Sequence, residues 1–470
     1  MGFSQPRVWE RAYRLSLAQL TCLGRHTITG LICTRGRQFQ DWSADYRLFS
    51  QDRWEVSNLF RPVIAGVLSA LADPAPFVTA LDDTHLRKTG LRIPGVAYRR
   101  DPLSPAFHCH FVRAQRFRQL SALLPEGPVP GAARAIPIHD EHVPGVAKPK
   151  KTATPEQWQD YRKACRQNNL STHGAAAIQP CRRQLDEEHH SRQRDLIVPV
   201  DGSYCNRTVL KSLPPRTTRI GRIRKDAKLY APACAQDQAV RGKKRQYGQR
   251  VATPEELRQE DSVPWQEVCA YACGRVHRFR VKTLGPVLWA KAGAYRRLRL
   301  VVIAPVGYRL HQGGKLLYRQ PAYLICTDPD LALEKVVQHY LWRWDIEVNH
   351  RDEKQLIGIG QAQVRSLQSV ERQPAFAVAS YAMLLVAASQ AFPDPGTDTL
   401  LAAPKWRKTG RSPRLSTARL LQQVRRELWC QGLERRHDHS RGFVTQDLSN
   451  TKCLKFQSSL PSAVLYVSTG

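Results

Sequence analysis

Two short apolar runs, residues 77–81 (FVTAL) and 196–200 (LIVPV), each end directly on an aspartate, Asp82 and Asp201. Continuous apolar runs of this length read as strands buried on both faces. A chain that carries two of them must build a covered sheet, so the expected class is α/β. In open sheets, binding sites gather at the carboxyl ends of the strands. Two strand ends that each deliver a carboxylate therefore point to one site. At the first, Asp82 and Asp83 adjoin, and successive strand residues face opposite ways, so only one of them enters it.

The second constraint is the stretch 327–358, TDPDLALEKVVQHYLWRWDIEVNHRDEKQLIG. Asp328 followed by Pro329 is a helix-start signal. Neither Gly nor Pro recurs before Gly358, which predicts a single helix of about 28 residues. On such a helix Tyr340, Arg343, Glu347 and Lys354 fall within an arc of roughly 60°. Leu333, Val337, Leu341, Trp344 and Val348 form the adjoining apolar stripe. The bland reading is an amphipathic surface helix with solvated charges.

Charge narrows the partner. The 470 residues hold 72 Lys and Arg against 40 Asp and Glu, a net +32, and 42% of the chain is apolar. An excess of that size implies a polyanion, most simply DNA or RNA, with an anionic membrane as competitor. No run of about 18 apolar residues can span a bilayer, and the N-terminus does not read as a signal peptide. The most apolar stretch, 375–392, includes Ser380, Tyr381, Ser389 and Gln390 and reads as a buried core helix. Twelve cysteines are scattered without a CxxC pair. Cys269, Cys273 and His277 mimic a metal-binding helix face, but no fourth ligand is evident and reduced thiols are the plainer reading.

Taken in order, residues 1–74 look helical and basic: a small DNA-binding module or a helical cap on a core. Strands are expected over 94–98 and 106–112, the latter carrying His108 and His110. A helix is expected over 115–124 and a surface loop over 125–154. A polar helical segment follows over 155–194, with breaks near 172–174. Arg222, Arg224 and Lys225 belong to a dense cationic run over 216–228, and a second cluster lies at 241–250. Lying close to a carboxylate site, these runs read as a phosphate track. From 276 to 327 the period changes to two, giving a β-rich segment with a hairpin turn at Gly313-Gly314. A final basic helix is expected near 417–433.

Asp82, Asp201 and Glu347 are three carboxylates suited to hard divalent cations such as Mg²⁺. Together with the charge, they make phosphodiester chemistry the natural inference. The chain resembles the DDE transposases of bacterial insertion sequences, in the branch with a Tyr-Arg-Glu-Lys signature. Tyr340, Arg343, Glu347 and Lys354 match that signature without a gap. VTALDDTHLRKTG resembles the first-aspartate motif and LIVPVDGSYCN the second. The likeness covers roughly residues 40–395.

The resemblance implies a ribonuclease H-like catalytic core interrupted by a β-rich insertion, with helical N-terminal and C-terminal regions. The division it implies is 1–74, 75–230, the insertion 231–328, 329–398, and a basic region 399–470. Asp82, Asp201 and Glu347 would bind two Mg²⁺ ions, with Mn²⁺ able to substitute, and Asp82 is favoured over Asp83. Tyr340, Arg343 and Lys354 would hold phosphates near the cleaved transposon end. The partners implied are terminal inverted repeats and target DNA, acted on by a homodimer in the bacterial cytoplasm at the nucleoid. The alternatives are a related DDE-type nuclease and a catalytically silent DNA-binding regulator.

Overall fold

The computed structural model describes residues 3, 5–101, 104–105, 107–126, 131–234, 245–392 and 415–436. In chain order the helices are α1 (Pro6–Thr21), α2 (Ile28–Thr34), α3 (Ser43–Ser50), α4 (Val56–Ala70), α5 (Pro155–Gln167), α6 (Leu170–Glu187), α7 (Arg207–Lys211), α8 (Pro254–Gln259), α9 (Leu333–Trp342), α10 (Trp344–Gln355), α11 (Leu367–Ala391) and α12 (Thr417–Arg436). The strands are β1 (Phe77–Arg87), β2 (Ala97–Arg100), β3 (Phe111–Pro125), β4 (Ala133–His142), β5 (Leu196–Val200), β6 (Thr217–Arg222), β7 (Leu229–Pro232), β8 (Tyr247–Arg250), β9 (Gln266–Ala272), β10 (Arg275–Trp289), β11 (Leu298–Ile303), β12 (Gly307–Tyr308), β13 (Leu317–Tyr318) and β14 (Ala322–Cys326). The class is α/β, as expected.

The chain divides into two compact units, one of residues 1–72, 83–145 and 345–470, the other of 73–82 and 146–344. In the first unit α11 is the core. Residues 374–382 are all buried in it. It packs on β4, α4, α1 and α3. The N-terminal helices thus cover α11 in the manner of a cap. Length and apolarity alone would let α11 cross a membrane, but most of it is buried inside this unit. Strand β3 pairs antiparallel with β2 along residues 111–114 and with β4 along residues 117–125.

Three expectations fail here. Residues 115–124 form part of β3 rather than a helix, and β4 occupies the middle of the expected loop 125–154. Residues 117–124 are buried without a break, so their helix-favouring Leu, Ala and Gln are overruled by burial on both faces of a central strand. His108 and His110 precede β3 instead of lying on a strand, with their rings 4.5 Å apart.

In the second unit β1, β5 and β6 run parallel, and the sheet continues through β14, β11 and β10, which join antiparallel. Parallel strands require crossover connections, and α5 and α6 lie between β1 and β5 in the chain. Asn169 caps α6 by accepting from the Thr172 amide, so the helical break falls at 168–169 and not at 172–174. The expected β-rich segment is present, and Gly313-Gly314 turns the β12–β13 hairpin. Of the second cationic cluster, 241–244 lie outside the described residues, as do 399–414 and 437–470 of the basic C-terminal region. The final helix is present as α12.

The single helix expected over 327–358 is in fact two. Asp328 does not start it, because its carboxylate accepts from the Asp330 amide 2.9 Å away and closes a local turn. α9 begins only at Leu333, after an Ala332 cap. At Arg343 the ladder tightens, the amide donating to the Tyr340 carbonyl at 3.3 Å, and α10 follows. The arc drawn for one straight helix therefore does not carry across Arg343. Of the expected apolar stripe, Leu333 and Val337 are buried but Trp344 is exposed.

Gln338, one turn before Trp342, exchanges two hydrogen bonds with the backbone of Tyr271 in β9, at 2.7 and 3.1 Å. Those bonds fix the rotation of α9 on its sheet. Replacing Gln338 with Ala leaves a backbone donor and acceptor unpaired, and we expect about 1–3 kcal/mol of lost stability, read by denaturant unfolding. A change below the measurement error would show that water replaces the side chain.

Candidate active site

The site is set by strand register. Leu81 of β1 lies opposite Val200 of β5, and Val200 lies opposite Gly221 of β6. One residue further along, Asp82, Asp201 and Arg222 follow as a row across three neighbouring parallel strands. Adjacent strands are roughly 4.8 Å apart, so carboxylates at matched positions come within reach of a shared ligand. β5 ends at Val200, and the Asp201 carboxylate accepts from the Ser203 amide, capping a single 3-10 turn over Gly202–Tyr204. Gly221 permits this turn, because a Cβ there would meet the Cys205 sulfur at 2.5 Å. Asp82 is not at a strand end as expected, since β1 runs on to Arg87.

Helix α9, which packs on β5 and β6, brings two further residues to the row. Arg343 Nη1 stands 3.7 Å from Asp82 Oδ2, both side chains largely buried. The Arg343 guanidinium also lies 5.9 Å from the centre of the Tyr340 ring. Burial raises the Tyr340 phenol above its ordinary value, while Arg343 and Arg222 pull it back and Asp201 pushes it up. Tyr340 therefore keeps its proton at neutral pH and offers an O–H donor. Arg222, Arg224 and Lys225 line a cleft of about 940 Å³, together with Asn206, Arg258 and Trp289. Arg224 is paired with Asp226 at 3.0 Å, and Arg258 with Glu255 at 2.6 Å. Hydrogen bonding from Arg258 holds the Glu255 carboxyl down at about 2. Asn206, the last residue of the second-aspartate motif, arrives as the cap of α7, while Arg258 and Trp289, which no sequence motif singled out, arrive from α8 and the end of β10.

Glu347 and Lys354 lie in the other unit, on α10. Glu347 sits in the helix's first turn, where the amide dipoles favour a carboxylate. Buried polar ties hold α10 in place within that unit. Thr417 donates to Asp352 at 2.6 Å, Tyr381 to Asn349 at 3.4 Å, and Asn349 to Ser121 at 3.3 Å.

Asp83 also belongs to this unit, ion-paired with Arg116 at 3.2 Å. Arg116 Nε donates to His85 Nε2 at 3.3 Å, which leaves the His85 proton on Nδ1. Burial, then the charges of Arg116, Arg99 and Lys354, bring His85 down to about 4. Thus Asp82 meets Arg343 and Asp83 meets Arg116, as alternate strand faces require, and Asp82 shares the row with Asp201.

Among the described residues, no three His, Cys, Asp or Glu side chains are grouped closely enough to hold a metal ion. Cys269, Cys273 and His277 lie on the β9–β10 hairpin, where helical spacing does not apply. The Asp82–Asp201 pair supplies oxygen donors only, a set that suits Mg²⁺ or Mn²⁺ rather than a softer ion.

Two carboxylates, Asp82 and Asp201, thus lie with Arg222 across neighbouring parallel strands, with Arg343 beside Asp82. Residues 4–291 match the family model of the DDE superfamily endonucleases, and the chain belongs to that family. The matched span contains Asp82, Asp201 and Arg222 and ends before Tyr340. No curated protein matches the chain.

The folded-state pKa of His85 lies below its unfolded value, so its neutral form stabilises the fold above that value. The stability is lost as pH falls from about 6.5 toward about 4. Unfolding free energy should rise with pH across this window, and rise less in His85→Asn. Identical pH slopes for the two proteins would show that His85 is not held neutral.

Proposed function

We propose that this chain is the transposase of a bacterial insertion sequence, of the Tyr-Arg-Glu-Lys type. In this reading it cuts DNA at the element's terminal inverted repeats and joins the ends to target DNA, working as a homodimer. The observation that carries the reading is the register row of Asp82, Asp201 and Arg222, with Tyr340 and Arg343 brought to it by α9. The fold assignment is a ribonuclease H-like core over 75–230 and 329–398, interrupted by the β-rich segment 231–328. Its support is the β3–β4 hairpin beside the second half of β1, and β5 and β6 running parallel to the first half.

Asp82, Asp201 and Glu347 would hold two Mg²⁺ ions through carboxylate oxygens, with Mn²⁺ able to substitute. Held there, the ions would supply Lewis acidity for a water or 3′-hydroxyl and positive charge beside the leaving oxygen. Arg343 is suited to a bidentate phosphate grip, Lys354 to a point-charge contact, and Tyr340 to donating its hydroxyl to a phosphate oxygen. Arg222, Arg224 and Lys225 would track the strand backbone along the cleft. A DDE nuclease that does not transpose, or a silent DNA-binding regulator, would share this chemistry in part. Short inverted repeats bounded by target duplications around the gene separate the transposase from both.

Asp82→Asn, Asp201→Asn and Glu347→Gln should each abolish strand cleavage while end binding stays within a few fold. Mg²⁺ and Mn²⁺ should support cleavage by the unaltered protein, and Ca²⁺ binding alone. Full activity of any of the three variants, or of the protein in EDTA, would sink the assignment.

Arg343→Ala and Lys354→Ala should weaken end binding and cleavage, each lost charged hydrogen bond removing about 1.5–3 kcal/mol. If these residues serve only as internal ion pairs, the variants will instead lose melting temperature and keep specific activity per folded molecule.

A further inference from the structure

The β2–β3 ribbon of the first unit presents an arrangement that the carboxylate site does not use. Tyr98 lies directly opposite Arg113, and Arg100 opposite Phe111. Residues two apart on a strand share a face, so these four form a checkerboard of two rings and two guanidiniums on one side of the ribbon. The rings are open to solvent, Tyr98 at 74% and Phe111 at 65%, and Arg100 is exposed as well. The other side carries Ala97, Arg99, Val112 and the fully buried Ala114.

The exposed face is pre-set. Arg113 donates to the carbonyls of Thr89 at 3.4 Å and Gly90 at 3.3 Å, and from that anchorage its guanidinium lies 6.0 Å from the centre of the Tyr98 ring. The nearby carboxylate, Asp101, is paired with Arg87 at 2.7 Å, so the face is net cationic. In the segment between the two strands, Phe107 is 91% exposed.

We propose that this face binds single-stranded DNA, with unpaired bases stacked on Tyr98 and Phe111 and the backbone phosphates met by Arg100 and Arg113. Stacking on aromatic rings beside cations is the general means of holding single strands without regard to sequence. Phosphates alone would leave two open rings uncovered, whereas bases cover them. A second copy of the chain fits poorly, because the face is net cationic and each copy carries a net charge of +32, so two such faces repel. The inference rests on the chain's acting on DNA and not on the carboxylate assignment.

The test uses the full chain in EDTA, which silences metal-dependent cleavage. Fluorescence anisotropy is read with a labelled 20-mer of oligo-dT and with a 20-base-pair duplex. Tyr98→Ala/Phe111→Ala should bind oligo-dT at least tenfold more weakly and the duplex within twofold of normal, with an unchanged melting temperature. The ring-retaining Phe111→Trp should bind normally, and oligo-dT should quench its added fluorescence relative to the unaltered protein. Unchanged oligo-dT binding by the double variant overturns the proposal. Equal losses on oligo-dT and duplex overturn it in favour of a duplex surface. A concentration-dependent dimer that the double variant loses, seen by sedimentation, overturns it in favour of a contact between copies. Loss of cleavage in Asp82→Asn with normal oligo-dT binding keeps the two readings apart.

Discussion

The parallel pairing of β1, β5 and β6 is the constraint on which the candidate site depends. Register in a sheet is discrete, and a slip of one residue moves every side chain to the opposite face. With Leu81, Val200 and Gly221 aligned, the next position of each strand carries Asp82, Asp201 and Arg222. The alignment is held by residues that meet no substrate. Leu81, Val200 and Ile220 are fully buried, and Gly221 leaves the space that Cys205 fills. A side chain larger than hydrogen at Gly221 would press on Cys205 and, through it, on the turn that orients Asp201.

Charge balance shapes the rest of that unit's site. Two aspartates in one row would repel, and Arg343 beside Asp82 offsets this. The same guanidinium lies against Tyr340, so one cation steadies a carboxylate and a phenol at once. In the cleft next to Asp201 the acidic groups are already engaged, Asp226 by Arg224 and Glu255 by Arg258. That leaves Arg222 and Lys225 as the cations best placed to meet a polyanion there. The net charge of +32 gives such a strand a long-range attraction that salt will screen.

The first unit relies on a buried polar network instead. Asp140 and Glu353 are both buried, and burial with the neighbouring Glu353 charge raises the Asp140 carboxyl well above its ordinary range, opposed by Arg118. Such networks are costly unless satisfied, and they reward one arrangement of the elements that contribute to them. Here those elements are β3, β4 and α10, the last of which carries Glu347 and Lys354.

The sequence by itself determined the apolar runs that lead into Asp82 and Asp201, the helical stretch with Tyr340, Arg343, Glu347 and Lys354, the β-rich segment before it, and the buried helix α11. Each is a local pattern in which hydrophobic period, chain breakers and length agree. Tertiary structure decided what local pattern cannot encode. Residues 115–124 became a strand because burial on both sides outweighed helix preference. The helix broke at Arg343, whose side chain answers to Asp82 more than two hundred residues earlier in the chain. Asp82 was separated from Asp83 by which arginine each face meets, Arg343 or Arg116. Asn206, Arg258 and Trp289 joined one cleft from three distant segments, and the Tyr98–Arg113 and Arg100–Phe111 pairs exist only in the register of β2 with β3. Pairing across sequence distance is a property of packing, and a periodicity read along one segment carries no information about it.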